Sequence, residues 1–180
     1  MKTRIILIIT ILIAFTSFSQ EKLTTKSGVV KFEASTPNFE PVAAVNEVSS
    51  AILKEDGTIA VLTLVSGFKF KKALMQKHFN SKKWVDSKAF PKTSFKGKIV
   101  DFKLSDVTAK EVTYQIKGSL TFHGVTKDIS TPATISKVDG AVKINTKFTV
   151  KVADYGIVVK SKLAAKIAET VNVETTLLLK

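Results

Sequence analysis

Two-residue alternation of apolar and polar side chains runs through most of this chain and commits it to strands. Val112, Tyr114, Ile116, Leu120 and Phe122 share one parity, while Thr113, Gln115, Lys117, Ser119 and Thr121 share the other. The pattern returns at Val142, Ile144, Phe148, Val150 and Val152. Successive strand residues point to opposite faces, so each such strand has one apolar face and one wet face. A chain in which nearly every candidate strand carries this signature must turn its apolar faces toward a shared interior, as a sandwich or a closed barrel does. Function then depends on what fills that interior.

The first residues read differently. Lys2 and Arg4 precede an apolar run over residues 5–15, and Ser17 and Ser19 stand at the −3 and −1 positions of a cleavage site before Gln20. This order is the tripartite pattern of a secretory signal peptide. The run is shorter than the roughly 20 apolar residues that a membrane span needs, and no charged stop-transfer cluster follows it. No Cys follows it either, which removes a lipoprotein anchor. The expectation is a leader over residues 1–19 and one exported domain, periplasmic or secreted, over residues 20–180.

The remaining stretch of about 160 residues can bury a sizeable core as one domain. The formal charge is +13, with a pI near 9.8. Lys143, Lys147 and Lys151 fall on the polar parity of their strand, so most of this charge reads as a solvated exterior. Such an exterior suits peripheral contact with an anionic membrane or with an acidic partner, and it leaves pairing into a homodimer open. Cys is absent, so there is no disulfide framework, thiolate metal site or Cys nucleophile.

The expected elements follow from parity and turn residues. A first strand lies near residues 29–34, and the two prolines of residues 36–46 mark a loop or crossing segment. Residues 47–53 and 58–70 form a hairpin around Lys54, Glu55, Asp56 and Gly57, and Leu62, Leu64, Phe68 and Phe70 share one face of its second arm. Leu74, Met75, His78 and Phe79 switch to helical spacing, which predicts a short helix over residues 71–80 laid across an opening or a sheet face. Strands resume over residues 95–104, with a β-bulge between Ile99 and Phe102, then over 111–122, 127–137 and 141–153. Residues 161–168 suggest a second helical piece before a closing strand over 171–179.

Nothing points to catalysis. His78 and His123 are neither at metal-ligand spacing nor beside a carboxylate pair, and no nucleophile elbow, phosphate loop or zinc signature is present. The chain reads as a non-enzyme with no catalytic residue, metal or cofactor. Nucleic-acid binding would need aromatic rings on the basic face for stacking. Phe122 and Phe148 instead share parity with Leu120 and Val150, opposite the lysines, which argues against that class.

Two segments carry a resemblance. One is Phe68-Lys69-Phe70-Lys71-Lys72-Ala73-Leu74-Met75-Gln76-Lys77-His78-Phe79-Asn80 followed by Phe90-Pro91-Lys92-Thr93-Ser94-Phe95-Lys96-Gly97. The other is Gly118-Ser119-Leu120-Thr121-Phe122-His123-Gly124-Val125-Thr126-Lys127, and Asp154-Tyr155-Gly156-Ile157 follows in order. Together they resemble the YceI-like family across nearly the whole expected domain. The resemblance implies an all-β, lipocalin-like antiparallel barrel with one or two short helices, whose interior holds a long apolar molecule such as a polyisoprenoid, an isoprenoid quinone or another long-chain lipid. Lys77 and Lys82 depart from the acidic character common in the family's helical signature.

On that basis the expected tunnel wall comprises Leu62, Leu64, Phe68, Phe70, Leu74, Phe79, Phe95, Tyr114, Ile116, Phe122, Ile144, Phe148 and Val150. His78, His123 and Lys127 are candidates for a polar mouth, although both histidines read first as hydrogen-bonded structural residues. Ser66, Gly118, Thr131, Ala133 and Thr146 are small or polar inward positions that leave volume. Alternation alone leaves a second reading open, a filled barrel that uses its basic exterior to bind an acidic partner.

Overall fold

The computed structural model describes residues 22–37, 39–159 and 166–180. The expected leader lies outside the described residues. Among the described residues nine strands form, β1 (Lys22–Ser35), β2 (Ala43–Lys54), β3 (Thr58–Leu64), β4 (Lys69–Phe70), β5 (Lys92–Ile99), β6 (Val112–Phe122), β7 (Val125–Val138), β8 (Ala141–Lys151) and β9 (Ile167–Leu179). One α-helix, α1 (Ala73–Asn80), lies between β4 and β5. Hydrogen-bonded neighbours run β1-β9-β8-β7-β6-β5-β3-β2, and β2 pairs again with β1. Every pairing is antiparallel, so the circuit closes an eight-stranded barrel to which the two-residue β4 adds at β2. Closure removes the sheet edges that would otherwise need protection. This is the all-β, lipocalin-like antiparallel barrel that the resemblance implies.

Local chemistry sets the tightest turns. β7 and β8 are joined by Asp139 and Gly140, with φ of 48° and 78°, and β6 and β7 by His123 and Gly124, with φ of 48° and 76°. Two consecutive residues with positive φ give the turn twist that matches flanking strands, which favours Gly at the second position. His123 is therefore a turn residue before it is anything else.

Several expectations need correction. β1 begins at Lys22 and β2 at Ala43, so the expected loop over residues 36–46 is shorter than its prolines suggest. No bulge separates Ile99 from Phe102: β5 ends at Ile99, Val100 and Asp101 form a turn in which Asp101 has φ 53°, and Phe102 folds back into the core. Residues 161–165 of the expected second helical piece lie outside the described residues, and Ile167 and Ala168 open β9 as strand.

The second arm of the first hairpin is broken. A 3-10 turn at Val65–Gly67 separates β3 from β4 and resets the alternation. Asn46, fully buried on β2, holds this break by donating its side-chain amide to the Leu64 carbonyl at 2.9 Å, while its Oδ1 accepts from Val48 N–H at 3.0 Å. Ile59 and Thr63 are buried and Leu62 and Leu64 are exposed, so parity before the turn is the reverse of the expected one. Ser66 is likewise exposed on the turn and contributes no interior volume.

The two ends of the barrel differ. At one end Leu53, Ile99, Ile135 and Leu179 pack without exposed surface, joined by Phe102 and its edge-on neighbour Tyr114 at 5.5 Å between ring centroids. The other end is spanned by α1 and stays open inside.

Candidate functional site

A cavity of about 1100 Å³ occupies the barrel interior beneath α1. Ile59, Ile116, Ile144 and Leu177 belong both to its lining and to the packed cluster, so they form its floor. Higher on the wall stand Val61, Phe95, Leu120, Phe122, Ile129, Phe148, Val150, Val171 and Val173, each from an inward parity position of its strand. Thr131 and Thr146 also line it. Three polar wall residues turn their hydroxyls into the sheet: Thr131 donates to the Lys147 carbonyl at 3.2 Å, Thr63 to Ser49 Oγ at 2.8 Å and Thr93 to the Thr121 carbonyl at 2.9 Å. With those groups satisfied, the wall meets a ligand mainly with carbon.

Room for the Phe95 ring comes from two missing side chains. Gly97 on β5 faces Gly118 on β6, and a Cβ at either would lie 2.6 or 2.7 Å from Phe95 Cζ. The ring thus lies against bare backbone on the inner face. Gly118 serves close packing here, not free volume, and Ala133 is buried outside the cavity lining.

An aromatic cluster fixes α1 over the opening. Phe79 on the helix stacks on Phe32 of β1 at 5.4 Å and meets Phe70 at 5.1 Å and Phe68 at 5.9 Å. Phe32 also meets Phe68 edge-on at 5.2 Å. Rings at such separations add roughly 0.5–1.5 kcal/mol per pair beyond their area burial. Beside them Val65, Val85 and Ile157 pack with Trp84 and Phe122. Trp84 therefore anchors the segment after α1, and it also lines the cavity.

The rim is of another character. Lys72, Lys77, His78, Lys82, Lys83 and Lys166 line it, against one carboxylate, Glu40, which pairs with Lys72. Leu74 and Phe39 stand on the same rim, 62% and 43% exposed. These exposed lining residues mark the mouth.

Of the residues expected at the site, Phe68, Phe70, Leu74, Phe79, Phe95, Ile116, Phe122, Ile144, Phe148, Val150 and His78 line the cavity. Leu62 and Leu64 do not, because the 3-10 turn after β3 leaves them on the outer face. Tyr114 faces inward but sits below the floor against Phe102. His123 is held by the turn, with Nδ1 at 2.9 Å from the Tyr155 carbonyl and its ring 4.4 Å from that of Phe90. Lys127 has the parity of Ile129 but is exposed and stands outside the lining. Tyr155 itself is buried, and that burial, with the charge of Asp154 adding to it, raises its phenol pKa. On the outer face Lys147 pairs with Glu174 at 2.7 Å, and that hydrogen bond and charge hold the carboxyl below its ordinary value.

Sequence reasoning missed Phe32, Val61, Ile59 and Leu120 as wall residues. Phe32 was accessible from the alternation of Val30, Phe32 and Ala34, all of which line the cavity. Among the described residues no cluster of three or more metal-ligating side chains occurs, and no helix is long and apolar enough to cross a membrane.

Comparison with known proteins gives a consistent picture. A family model described as YceI-like domain matches residues 16–179. Among solved structures, a polyisoprenoid binding domain from Saccharophagus degradans superposes with a TM-score of 0.74 at 13% identity, covering 89% of this chain and 98% of that one. BcnA of Burkholderia cenocepacia gives a TM-score of 0.70 at 18% identity over 85% of this chain and 96% of its own. The YCEI protein of Campylobacter jejuni gives 0.53 at 15% identity over 100% and 91%. A comparison with curated proteins finds no match.

Proposed function

Since the chain belongs to the YceI-like family, whose model spans residues 16–179 of it, we propose that it is an exported carrier that sequesters a long apolar ligand in its barrel. A polyisoprenoid, an isoprenoid quinone or a similar lipid tail fits that description. The observation that carries this reading is the cavity of about 1100 Å³, walled mainly by carbon, with α1 at its mouth. The polyisoprenoid-binding domain of Saccharophagus degradans, alike in fold, supports the ligand class. The leader pattern of Lys2, Arg4 and the apolar run behind them supports export.

The physics favours long tails over short ones. Each buried methylene gains roughly 0.8 kcal/mol, whereas association costs about 4–15 kcal/mol in lost freedom. A tail of about a dozen carbons therefore only meets the cost, and longer tails bind tightly. No proton transfer or covalent step is involved, and no residue is assigned a catalytic role. The open interior favours this carrier over a filled barrel.

A length series of prenyl alcohols, titrated into the protein by calorimetry, tests the reading. Affinity should climb with each added isoprene unit and level off once the cavity is full. Affinity independent of length, or no binding at any length, contradicts it.

A further inference from the structure

The residues that the 3-10 turn leaves outside the barrel gather on one stretch of its outer wall. Leu62 and Leu64 on β3 and Val48 and Ile52 on β2 are each between 39% and 62% exposed. Pairing sets Ser50 against Leu62 and Ile52 against Ala60, so Leu62 stands diagonally beside Ile52 on the same face. Val48 and Leu64 lie two residues farther along their strands and carry this strip toward the mouth, where Phe68 follows the turn. On the other strands, among the described residues, exposed large apolar side chains come one to a strand: Val112 on β6, Val138 on β7 and Leu178 on β9. Single ones are ordinary on a protein surface, whereas a contiguous group marks an interaction site.

Lysines flank the strip. Register places Lys92 against Leu64 and Lys96 against Ala60 on the neighbouring β5, and Lys117 of β6 follows against Lys98. Among the described residues Lys98 pairs with Asp56, while Lys92, Lys96 and Lys117 have no ion-pair partner. β3 and β5 contain no Asp or Glu, and β2 contains Glu47 alone. A second copy docked here would set its lysines against strands with that single carboxylate, so like charge disfavours self-association. The centres of protein interfaces are rich in aromatic rings and poor in lysine. This strip is aliphatic, and no aromatic residue points outward from β2, β3 or β5, because Phe95 turns into the cavity. A bilayer with anionic headgroups fits both features, since aliphatic tips enter the acyl boundary while long lysine stems reach the phosphates.

We propose that the outer face of β2, β3 and β5 docks the protein side-on onto an anionic lipid bilayer. Val48, Ile52, Leu62 and Leu64 then sit at the acyl boundary, and Lys92, Lys96 and Lys117 lie among the headgroups. All seven side chains stand outside the cavity lining, so the proposal holds or fails apart from the carrier reading. Each lysine close to such a surface strengthens binding about fivefold, and salt weakens the effect. Loss of two lysines, or of the two leucines, should therefore weaken binding roughly tenfold or more.

The test is sedimentation with vesicles of phosphatidylcholine alone or with about 30% phosphatidylglycerol, at low salt. The proteins are the wild type, L62Q/L64Q, K92Q/K96Q and two controls, K143Q/K151Q on β8, which lies across the barrel from β3, and L178Q on β9. The expected result is that the wild type and both controls bind the phosphatidylglycerol vesicles alike, and both face variants roughly tenfold more weakly. Phosphatidylcholine alone should hold the wild type poorly. A second measurement locates the contact. The chain has no Cys, so Ser50→Cys and Thr149→Cys each take one environment-sensitive fluorophore, on the proposed face and on β8. Anionic vesicles should shift the emission to the blue at position 50 and leave it unchanged at position 149. Face variants that bind like the wild type, equal binding to the two vesicle types, or equal shifts at the two labels overturn the proposal. A blue shift at position 50 that appears with soluble polyglutamate and not with vesicles identifies an acidic protein as the partner and overturns it too. So does one that grows with protein concentration in the absence of lipid, which identifies a second copy.

Discussion

Phe148 and Lys147 are neighbours on β8 with opposite surroundings. Phe148 lines the cavity, while Lys147 is exposed and reaches across to Glu174 on β9 at 2.7 Å. Adjacent strand residues point to opposite faces, so this pair separates the inside of the barrel from the outside at one point of the chain. Phe148→Asp should cost roughly 2–5 kcal/mol, because a carboxylate must either desolvate or draw water into an apolar wall. Phe148→Ala should keep the barrel and change lipid uptake, since it reshapes the wall. Lys147→Glu removes an exposed ion pair and should leave lipid loading as in the wild type. Urea unfolding and lipid loading of the three variants check this. Full stability and loading in Phe148→Asp together with lost loading in Lys147→Glu would reverse the assignment of faces.

The individual strands show why some of the site was legible and some was not. Parity identified the inward residues of β6 and β8 directly, since nothing interrupts Ile116 to Phe122 or Ile144 to Val150 on the inner face. It failed on β3 because the 3-10 turn at Val65–Gly67 is held by Asn46, a residue 18 positions upstream that no local pattern connects to Leu64. Parity also reports a face and not a height along the barrel axis. Tyr114 and Lys127 both have inward parity, yet one sits beneath the floor and the other beyond the lining, and only closure of the sheet fixes those heights. The β5–β6 pair yields its own prediction. A Cβ at Gly118 would stand 2.3 Å from the Lys96 carbonyl oxygen and 2.5 Å from Gly97 Cα, neither of which can swing aside. Gly118→Ala should therefore destabilise the barrel by about 1–3 kcal/mol, as overpacking does, read as a lower urea midpoint. A change within about 0.5 kcal/mol would mean that the two strands do not approach this closely.

Taken whole, the barrel is asymmetric along its axis. One end is a packed core that holds the fold together, and the other keeps about 1100 Å³ of apolar space under a short helix and a lysine-rich rim. Interiors of proteins normally pack to crystal-like density, and voids of this size persist where a ligand fills them. Ligand and fold should accordingly be linked, with lipid removal lowering the unfolding temperature. In the native protein this space should therefore be occupied. Mass spectrometry of protein purified gently from its native source, under conditions that keep complexes intact, measures that directly. The expected result is a recurrent added mass that an organic extract resolves as one class of long-chain lipid. Protein that carries no added mass, gives a clean extract and fails to take up lipid on incubation would contradict it.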